Sequence, residues 1–254
     1  IAIVFSAARG FGATQGEISS WIWALCIGCG LTSLLPSLWM RKPVMIAWST
    51  PGAVVLATAA AGGQFHIADA VGAFIVSSLL ITLSGVSGWF ERIMHRIPLA
   101  VAAALLAGVL ARFSMQAFSA AGTEPGLVVT MLLVYLAGKR FSPRYAVVWT
   151  LLAGVAYAAL RGMVGRSSVH IGLAEPGFTY PQFGLQALVS PGLPLFIVTM
   201  ASQNLPGVAA IRAAGYDMPV SPLITMTGFA SLILAPLGGY ALNLSAITAS
   251  ICMG

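Results

Sequence analysis

The chain of 254 residues is 59% hydrophobic and 7% charged, and its mean hydropathy is +0.95. Globular domains carry about 25% charged residues, so this composition excludes an ordinary soluble domain and predicts an integral membrane protein. The net charge of +6 is spread in small groups between apolar runs, which suits loops beside anionic lipid. We therefore expect the lipid bilayer as a partner, and no nucleic acid.

Apolar runs between the charged residues predict an all-α protein of membrane-spanning helices. The run at 18–40 contains 23 uncharged residues, enough for a helix across a hydrocarbon core about 30 Å thick. Residues 1–8 are interpreted as the tail of an earlier span, and residues 178–188 are expected along the membrane interface. The other predicted helical runs are 70–90, 97–111, 125–138, 145–160, 191–211 and 219–237.

The run at 43–65 is different, because small polar residues and a proline interrupt it at its centre. The interruption is Trp48-Ser49-Thr50-Pro51-Gly52. We expect Thr50 to be the N-cap of a new helix and Pro51 to be its first helical residue. This segment is therefore predicted to be a broken span, with an extended first part and a half-length helix.

The last run, 240–254, repeats this order of events. An extended-looking stretch follows Gly238 and Gly239, and then Asn243 or Ser245 is placed to cap a helix of small residues. Two half-helices would then point their N-termini at each other near the middle of the membrane, an arrangement that suits an anion. The alternative is that Pro51 marks an ordinary kink and the glycine pair an ordinary turn.

A polar stretch at 199–207 lies in the middle of a long uncharged run. Ser202, Gln203 and Asn204 are consecutive, and Pro206 follows them. Amides in hydrocarbon are costly unless they face a partner, a cavity or a ligand. We interpret the stretch as part of a binding site at membrane depth; the alternative is that these side chains only join neighbouring helices.

The positive residues predict the orientation of the chain. If the spans alternate, one side of the membrane collects eight Lys and Arg residues and the other side four, so the first side is expected in the cytoplasm. No cleavable signal pattern is present. The chain is therefore expected to be a multi-pass protein of the bacterial inner membrane. The eight residues are Arg41, Lys42, Arg92, Arg96, Lys139, Arg140, Arg144 and Arg212, and the four are Arg9, Arg112, Arg161 and Arg166.

Five stretches of the sequence, 41–44, 48–53, 199–207, 241–248 and 251–254, resemble the BenE-type benzoate:proton symporters. The resemblance covers essentially the whole chain. That family is similar to the nucleobase/ascorbate transporters, whose fold consists of two inverted seven-helix repeats divided into a core domain and a gate domain. It implies broken helices 3 and 10, each entered through a short extended segment, and an incomplete chain.

This resemblance also implies a domain organisation. Residues 1–96 would be core-domain helices 1 (partial) to 4, 97–175 would be gate-domain helices 5 to 7, and 176–254 would be core-domain helices 8 to 10, with helix 10 truncated. The implied function is import of benzoate or a similar aromatic monocarboxylate together with protons, by alternating access. No enzyme activity, cofactor or metal is expected, and a homodimer stays an open alternative.

The expected substrate-binding residues combine the two interruptions with the polar stretch. The related nucleobase carriers have glutamates close to where Asn204 and Asn243 stand; an amide can donate to a carboxylate but cannot carry the proton. Other readings left open are an anion channel and a transporter for another small organic anion or a nucleobase-like substrate. The expected residues are Ser49, Thr50, Pro51, Gly52, Gln203, Asn204, Asn243 and Ser245.

Overall fold

The computed structural model describes residues 2–96, 118–163 and 174–252, with the isolated positions 107, 111 and 115. Most of the predicted span at 97–111 therefore lies outside the described residues. The chain divides into two compact units, one of residues 1–107 with 173–254 and the other of residues 108–172. Within the described ranges, four helices are long and apolar enough to cross a membrane, in agreement with the predicted all-α membrane architecture: Gln15–Met40, Ile67–Val86, Leu185–Ala213 and Val220–Leu237.

The described residues 2–96 of the larger unit form five helices and one short strand. A capping box starts the second helix, because Thr14 and Glu17 each accept a hydrogen bond from the other's backbone N–H. This places the helix start a few residues before the predicted run at 18–40. The elements are α1 (Ala2–Gly10), α2 (Gln15–Met40), β1 (Ile46–Trp48), α3 (Thr50–Ala61), α4 (Ile67–Val86) and α5 (Trp89–Arg96).

Helix α4 differs from the prediction at both ends. It was expected at 70–90, but it begins at Ile67, where the Asp69 side chain accepts from the backbone N–H of His66. It ends at Val86, and the chain then turns at Gly88, whose φ of 62° is in the left-handed region that glycine adopts easily. The residues beyond this turn form the separate helix α5.

Residues 125–160 of the smaller unit form a helical hairpin. The two helices of this hairpin approach closely where a Cβ on Gly138 would lie 2.9 Å from the Cα of Ala146, so the absence of a side chain permits the contact. The predicted helices at 125–138 and 145–160 are confirmed in number and position. The elements are α6 (Pro125–Phe141), a 3₁₀ turn (Pro143–Tyr145) and α7 (Ala146–Leu160).

The second half of the larger unit begins with residues 174–184, which have no regular structure. This stretch is tied to the unit by backbone hydrogen bonds from Thr179 N to Pro236 O and from Gln182 N to Ala68 O. The long helix that follows starts earlier than the predicted 191–211. The elements are α8 (Leu185–Ala213), α9 (Val220–Leu234) with a 3₁₀ turn (Ala235–Leu237), β2 (Leu242–Leu244) and α10 (Ala246–Cys252).

Helices α4 and α9 pack through small residues. A Cβ on Gly85 would lie 2.6 Å from the backbone N of Thr225, and one on Gly228 would lie 2.6 Å from the backbone N of Thr82. Close backbone approach through small residues is typical of helices in lipid, where van der Waals contact drives association.

An aromatic cluster of Trp21, Phe74 and Tyr240 lies in the same unit, and Tyr240 precedes β2 by two residues.

Candidate functional site

The two broken segments meet in a short antiparallel ribbon. Strand β1 pairs with β2 in a register that places Ala47 opposite Asn243. The ladder continues one residue beyond each end, where Ser49 N donates to Ala241 O at 3.1 Å and Ser245 N donates to Met45 O at 3.0 Å. Both predicted interruptions are therefore confirmed as a short strand followed by a helix start, and the structure brings them together.

Because the strands are antiparallel, the two half-helices leave the ribbon at opposite ends. Helix α3 begins just after Trp48 and α10 just after Leu244, so each N-terminus points back towards the ribbon. Ser49 and Ser245 are four residue steps apart in the register, which corresponds to about 13 Å. A single carboxylate is much smaller than this distance. This separation favours contact of a carboxylate with one helix start at a time, and a position between the two starts stays a prediction.

At the start of α3, most backbone donors are already used. Ser49 Oγ accepts from Gly52 N at 3.0 Å, Ser49 O accepts from Ala53 N at 2.9 Å, and Pro51 has no N–H. The predicted N-cap was Thr50, but Ser49 caps the helix and Thr50 is its first residue. The reason is tertiary: pairing of Ser49 with Ala241 keeps Ser49 extended, as an N-cap requires.

At the start of α10, Ser245 is the capping residue, and its Oγ accepts from Thr248 N at 3.4 Å. The other predicted cap, Asn243, lies inside β2. Its Nδ2 donates to Ala241 O at 2.9 Å, and its Oδ1 is buried with no hydrogen-bond partner among the described residues. Of the two capping alternatives left open by the sequence, the structure selects Ser245.

The polar stretch of α8 lies against β2. Asn204 is fully buried; its Oδ1 accepts from Leu244 N at 2.9 Å. A Cβ on Gly207 would lie 2.6 Å from Leu244 O, so α8 and β2 are in direct backbone contact. Gln203 is half-exposed, and its side chain has no hydrogen bond within the described residues. The sequence left open the alternative that these polar side chains only join neighbouring elements. The observed bond between Asn204 and Leu244 is a contact of that kind.

Burial separates the eight expected residues into two groups. Thr50, Pro51 and Gln203 are half-exposed, so a ligand can contact them directly. The other five are buried within this unit. These five are Ser49, Gly52, Asn204, Asn243 and Ser245.

Sequence reasoning missed three serines that hold the ribbon. Ser33 and Ser37, one turn apart on α2, accept from the backbone N–H groups of Ile46 and Val44, each at 2.9 Å. Ser231 on α9 accepts from Leu242 N, also at 2.9 Å. The four-residue spacing of the two α2 serines was the available signal, since it places both on one face of a helix.

The parts of the sequence that form the ribbon and the two helices after it contain no basic residue, since no Lys or Arg occurs at 43–90 or at 213–254. The six acidic residues lie at helix ends, in loops or on α5: Glu91 accepts from Ser221 Oγ at the start of α9, and Asp217 O accepts from Lys42 Nζ. Within these two ranges, the groups available to an anion are neutral polar groups and helix starts.

Four candidate spans, together with two broken segments that meet in a ribbon, define an integral membrane protein with the kind of broken helices from which transporters build a central site. The chain belongs to the BenE family of benzoate membrane transport proteins, which matches residues 1–254. This is a family of transport proteins and not of enzymes.

Two curated relatives show how far the similarity extends. The chain is 45% identical over 251 residues to the Inner membrane protein YdcO of Escherichia coli strain K12, covering 99% of this chain and 64% of that protein. It is 36% identical over 252 residues to the Benzoate membrane transport protein of Acinetobacter baylyi, again covering 99% of this chain and 64% of the relative. The chain thus spans slightly less than two thirds of the length of both.

Proposed function

We propose that the chain belongs to a secondary transporter of the bacterial inner membrane that imports benzoate, or a similar aromatic monocarboxylate, together with protons. The observation that carries this proposal is the ribbon with a half-helix leaving each end. Such broken helices supply a polar backbone at a depth where the membrane has none, and they are a recurring way to build a transporter site. The benzoate transport relative supports an aromatic carboxylate as the substrate.

The proposed substrate position is beside β1, where Ala47 and Trp48 are half-exposed. Thr50 offers its backbone N–H and its hydroxyl at the start of α3, and Gln203 offers an amide from α8. The carboxylate would be held at the α3 start, while Pro51 and the buried Ser49 and Gly52 shape that turn. Asn243 and Ser245 would support the site from the other strand.

The charge of the substrate explains why helix starts are needed. A carboxylate at membrane depth is costly unless it is paired, and no Lys or Arg is available in this part of the sequence. A helix N-terminus contributes about 0.3–1 kcal/mol at exposed sites and up to about 2 kcal/mol when partly buried. Hydrogen bonds to a charged group add roughly 1.5–3 kcal/mol each. Together these terms can replace a cation.

Proton coupling and alternating access are the finer parts of the proposal. The BenE resemblance is their support, because the acidic side chains of this chain lie at helix ends, in loops or on α5 and not beside the ribbon. In the proposed cycle, residues 1–96 and 176–254 would form the core that carries the substrate, and 97–175 would belong to the gate.

Uptake of labelled benzoate tests the proposal. The protein would be purified from the cells that naturally produce it and reconstituted into vesicles with a pH gradient, acidic outside. We expect saturable, concentrative uptake that collapses when a protonophore removes the gradient. Uptake that never exceeds equilibrium and does not saturate would indicate a channel instead. Saturable uptake of a nucleobase but not of benzoate would contradict the proposed substrate class.

A further inference from the structure

The outer edge of β2 presents backbone donors that the ribbon itself cannot pair. In an antiparallel pair, alternate residues direct their N–H and C=O groups to the partner strand. Ala241 and Ser245 bond to β1, so the N–H groups of Leu242 and Leu244 point away from it. A buried, unpaired backbone N–H costs free energy comparable to a lost hydrogen bond, and β2 is buried throughout.

Two side chains from different helices close this edge. Ser231 Oγ on α9 accepts from Leu242 N, and Asn204 Oδ1 on α8 accepts from Leu244 N, both at 2.9 Å. Both side chains are 0% exposed. They bond to alternate residues of one strand, immediately before the cap of α10.

We infer that Asn204 and Ser231 are positioning residues, which fix β2 and hence the start of α10, and that Asn204 does not contact the substrate. This inference rests on the proposed function, and it changes the role expected for Asn204 from the sequence. A similar contact occurs on β1, where Ser33 accepts from Ile46 N at the start of the strand and Ser37 accepts from Val44 N two residues before it. The ribbon is thus held from both sides and should move as one body with α2, α8 and α9.

The environment of Asn204 is what excludes a direct contact. Its Oδ1 is taken by Leu244 N, and its Nδ2 donates to the sulfur of Met200 at 3.2 Å, so both polar atoms of the amide are engaged. A carboxylate would need the second N–H of Nδ2, which is buried with the rest of this side chain. The neighbouring Gln203 is half-exposed, and its side chain has no hydrogen bond within the described residues.

A widened helical turn ends at Asn204. Residues Met200–Asn204 form a π turn, in which Leu205 N donates to Met200 O five residues earlier. Pro206 follows and has no N–H to bond to Ser202 O, which weakens the regular helical pattern at this point. A π turn contains one extra residue, so the side chains that follow it point in a different direction around the helix axis. Such turns occur often at functional sites.

Four variants in the protein as its cells produce it test the inference by benzoate uptake. Asn204→Leu and Ser231→Ala each remove an acceptor, and Asn204→Asp keeps an acceptor oxygen in place. Ser84→Ala is the matched control, because Ser84 is a buried serine that bonds only to the carbonyl of Ile81 in its own helix. If Asn204 instead donated to the substrate carboxylate, the acidic side chain of Asn204→Asp would repel it.

We expect Asn204→Leu and Ser231→Ala to raise the half-saturation concentration of benzoate by roughly 10-fold or more. Asn204→Asp should stay within about 3-fold of the parent, as should Ser84→Ala. An Asn204→Asp protein that folds and transports worse than Asn204→Leu would overturn the inference. So would a Ser231→Ala protein with unchanged half-saturation. If the parent protein takes up no benzoate at all, it is the proposed function that fails.

Hydrogen exchange gives a readout that does not depend on transport. In detergent-solubilised protein, peptides covering residues 240–246 should exchange faster in Asn204→Leu and Ser231→Ala than in the parent, because an amide of β2 loses its acceptor. Asn204→Asp and Ser84→Ala should show the parent's protection. Equal protection in all four variants would show that these side chains do not hold the strand, whatever the substrate is.

Discussion

Helices α3 and α10 both begin after a strand with a serine as N-cap, but the two starts differ in how firmly the cap is bound. At the α3 start, Ser49 binds Gly52 N at 3.0 Å, and Pro51 removes a further donor. At the α10 start, Ser245 binds Thr248 N at the longer distance of 3.4 Å, and no proline is present. The first start is the more firmly capped of the two.

The more firmly capped start, that of α3, is also the more exposed one. Thr50 and Pro51 are half-exposed, whereas Ser245 is 7% and Ala246 3% exposed. Ala246 packs with Ala210 and Ala249 from α8 and α10, and Met45 lies against this cluster. The comparison teaches that inverted sequence patterns need not give equivalent sites: the α3 start can face a ligand, while the α10 start is mainly internal support.

The largest expected effect concerns the direction of the first broken segment. Because β1 and α3 together cross the membrane in our topology, a cysteine at Arg41 and one at Gly62 should lie on opposite sides. In a variant without Cys26, Cys29 and Cys252, a membrane-impermeant thiol reagent added to intact cells should label Gly62→Cys and leave Arg41→Cys unlabelled. Labelling of Arg41→Cys but not of Gly62→Cys would contradict the positive-inside assignment. Labelling of both would show that β1 and α3 together do not cross the membrane.

Substrate affinity should distinguish the two starts. Thr50→Val removes a hydroxyl that we propose donates to the benzoate carboxylate, so binding should weaken by roughly 1.5–3 kcal/mol, the value of a hydrogen bond to a charged group. Titration calorimetry or a thermal-shift series with benzoate measures this. Thr58→Val, at an exposed position in the same helix where the hydroxyl bonds Val54 O, is the control and should bind as the parent does. Equal affinity for Thr50→Val would remove the carboxylate from the α3 start.

The contact between α8 and β2 should tolerate no added side chain. Gly207→Ala would place a Cβ 2.6 Å from Leu244 O, and because backbone cannot move aside cheaply, we expect a loss of roughly 1–3 kcal/mol of stability. Gly30→Ala in α2 meets no atom within 4 Å and should be neutral or slightly stabilising. Thermal unfolding in detergent, followed by tryptophan fluorescence, compares them. A Gly207→Ala protein as stable as Gly30→Ala would show that this contact is looser than described.

The smallest expected effect compares the two caps. Ser49→Ala leaves Gly52 N without its acceptor and should cost about 0.5–2 kcal/mol, the usual value of an N-cap. Ser245→Ala should cost less, since the bond it removes is longer and weaker. The same thermal unfolding measurement applies to both. A larger loss in Ser245→Ala than in Ser49→Ala would reverse our ranking of the two starts.

The sequence by itself determined the class of the protein and the position of its interruptions. Long uncharged runs suit lipid rather than water, and small polar capping residues favour a helix start, with a proline at α3 and without one at α10. For these reasons the membrane class and both interruptions were predicted correctly. Helix ends were predicted less well, as at Ile67 and Leu185, because capping partners and loop contacts decide them.

Only the tertiary structure decided what each polar residue of the site does. Asn204 and Gln203 are adjacent amides, and nothing in their chemistry shows that one is buried against Leu244 N and the other half-exposed. The serines that hold the ribbon come from α2 and α9, and Ser231 lies 11 residues from the strand it binds, with a turn between them. The strand register decided that Ser49 rather than Thr50 caps α3, and it set the distance between the two helix starts. Each of these results depends on which backbone groups lack partners after the elements have packed, and local sequence does not contain that information.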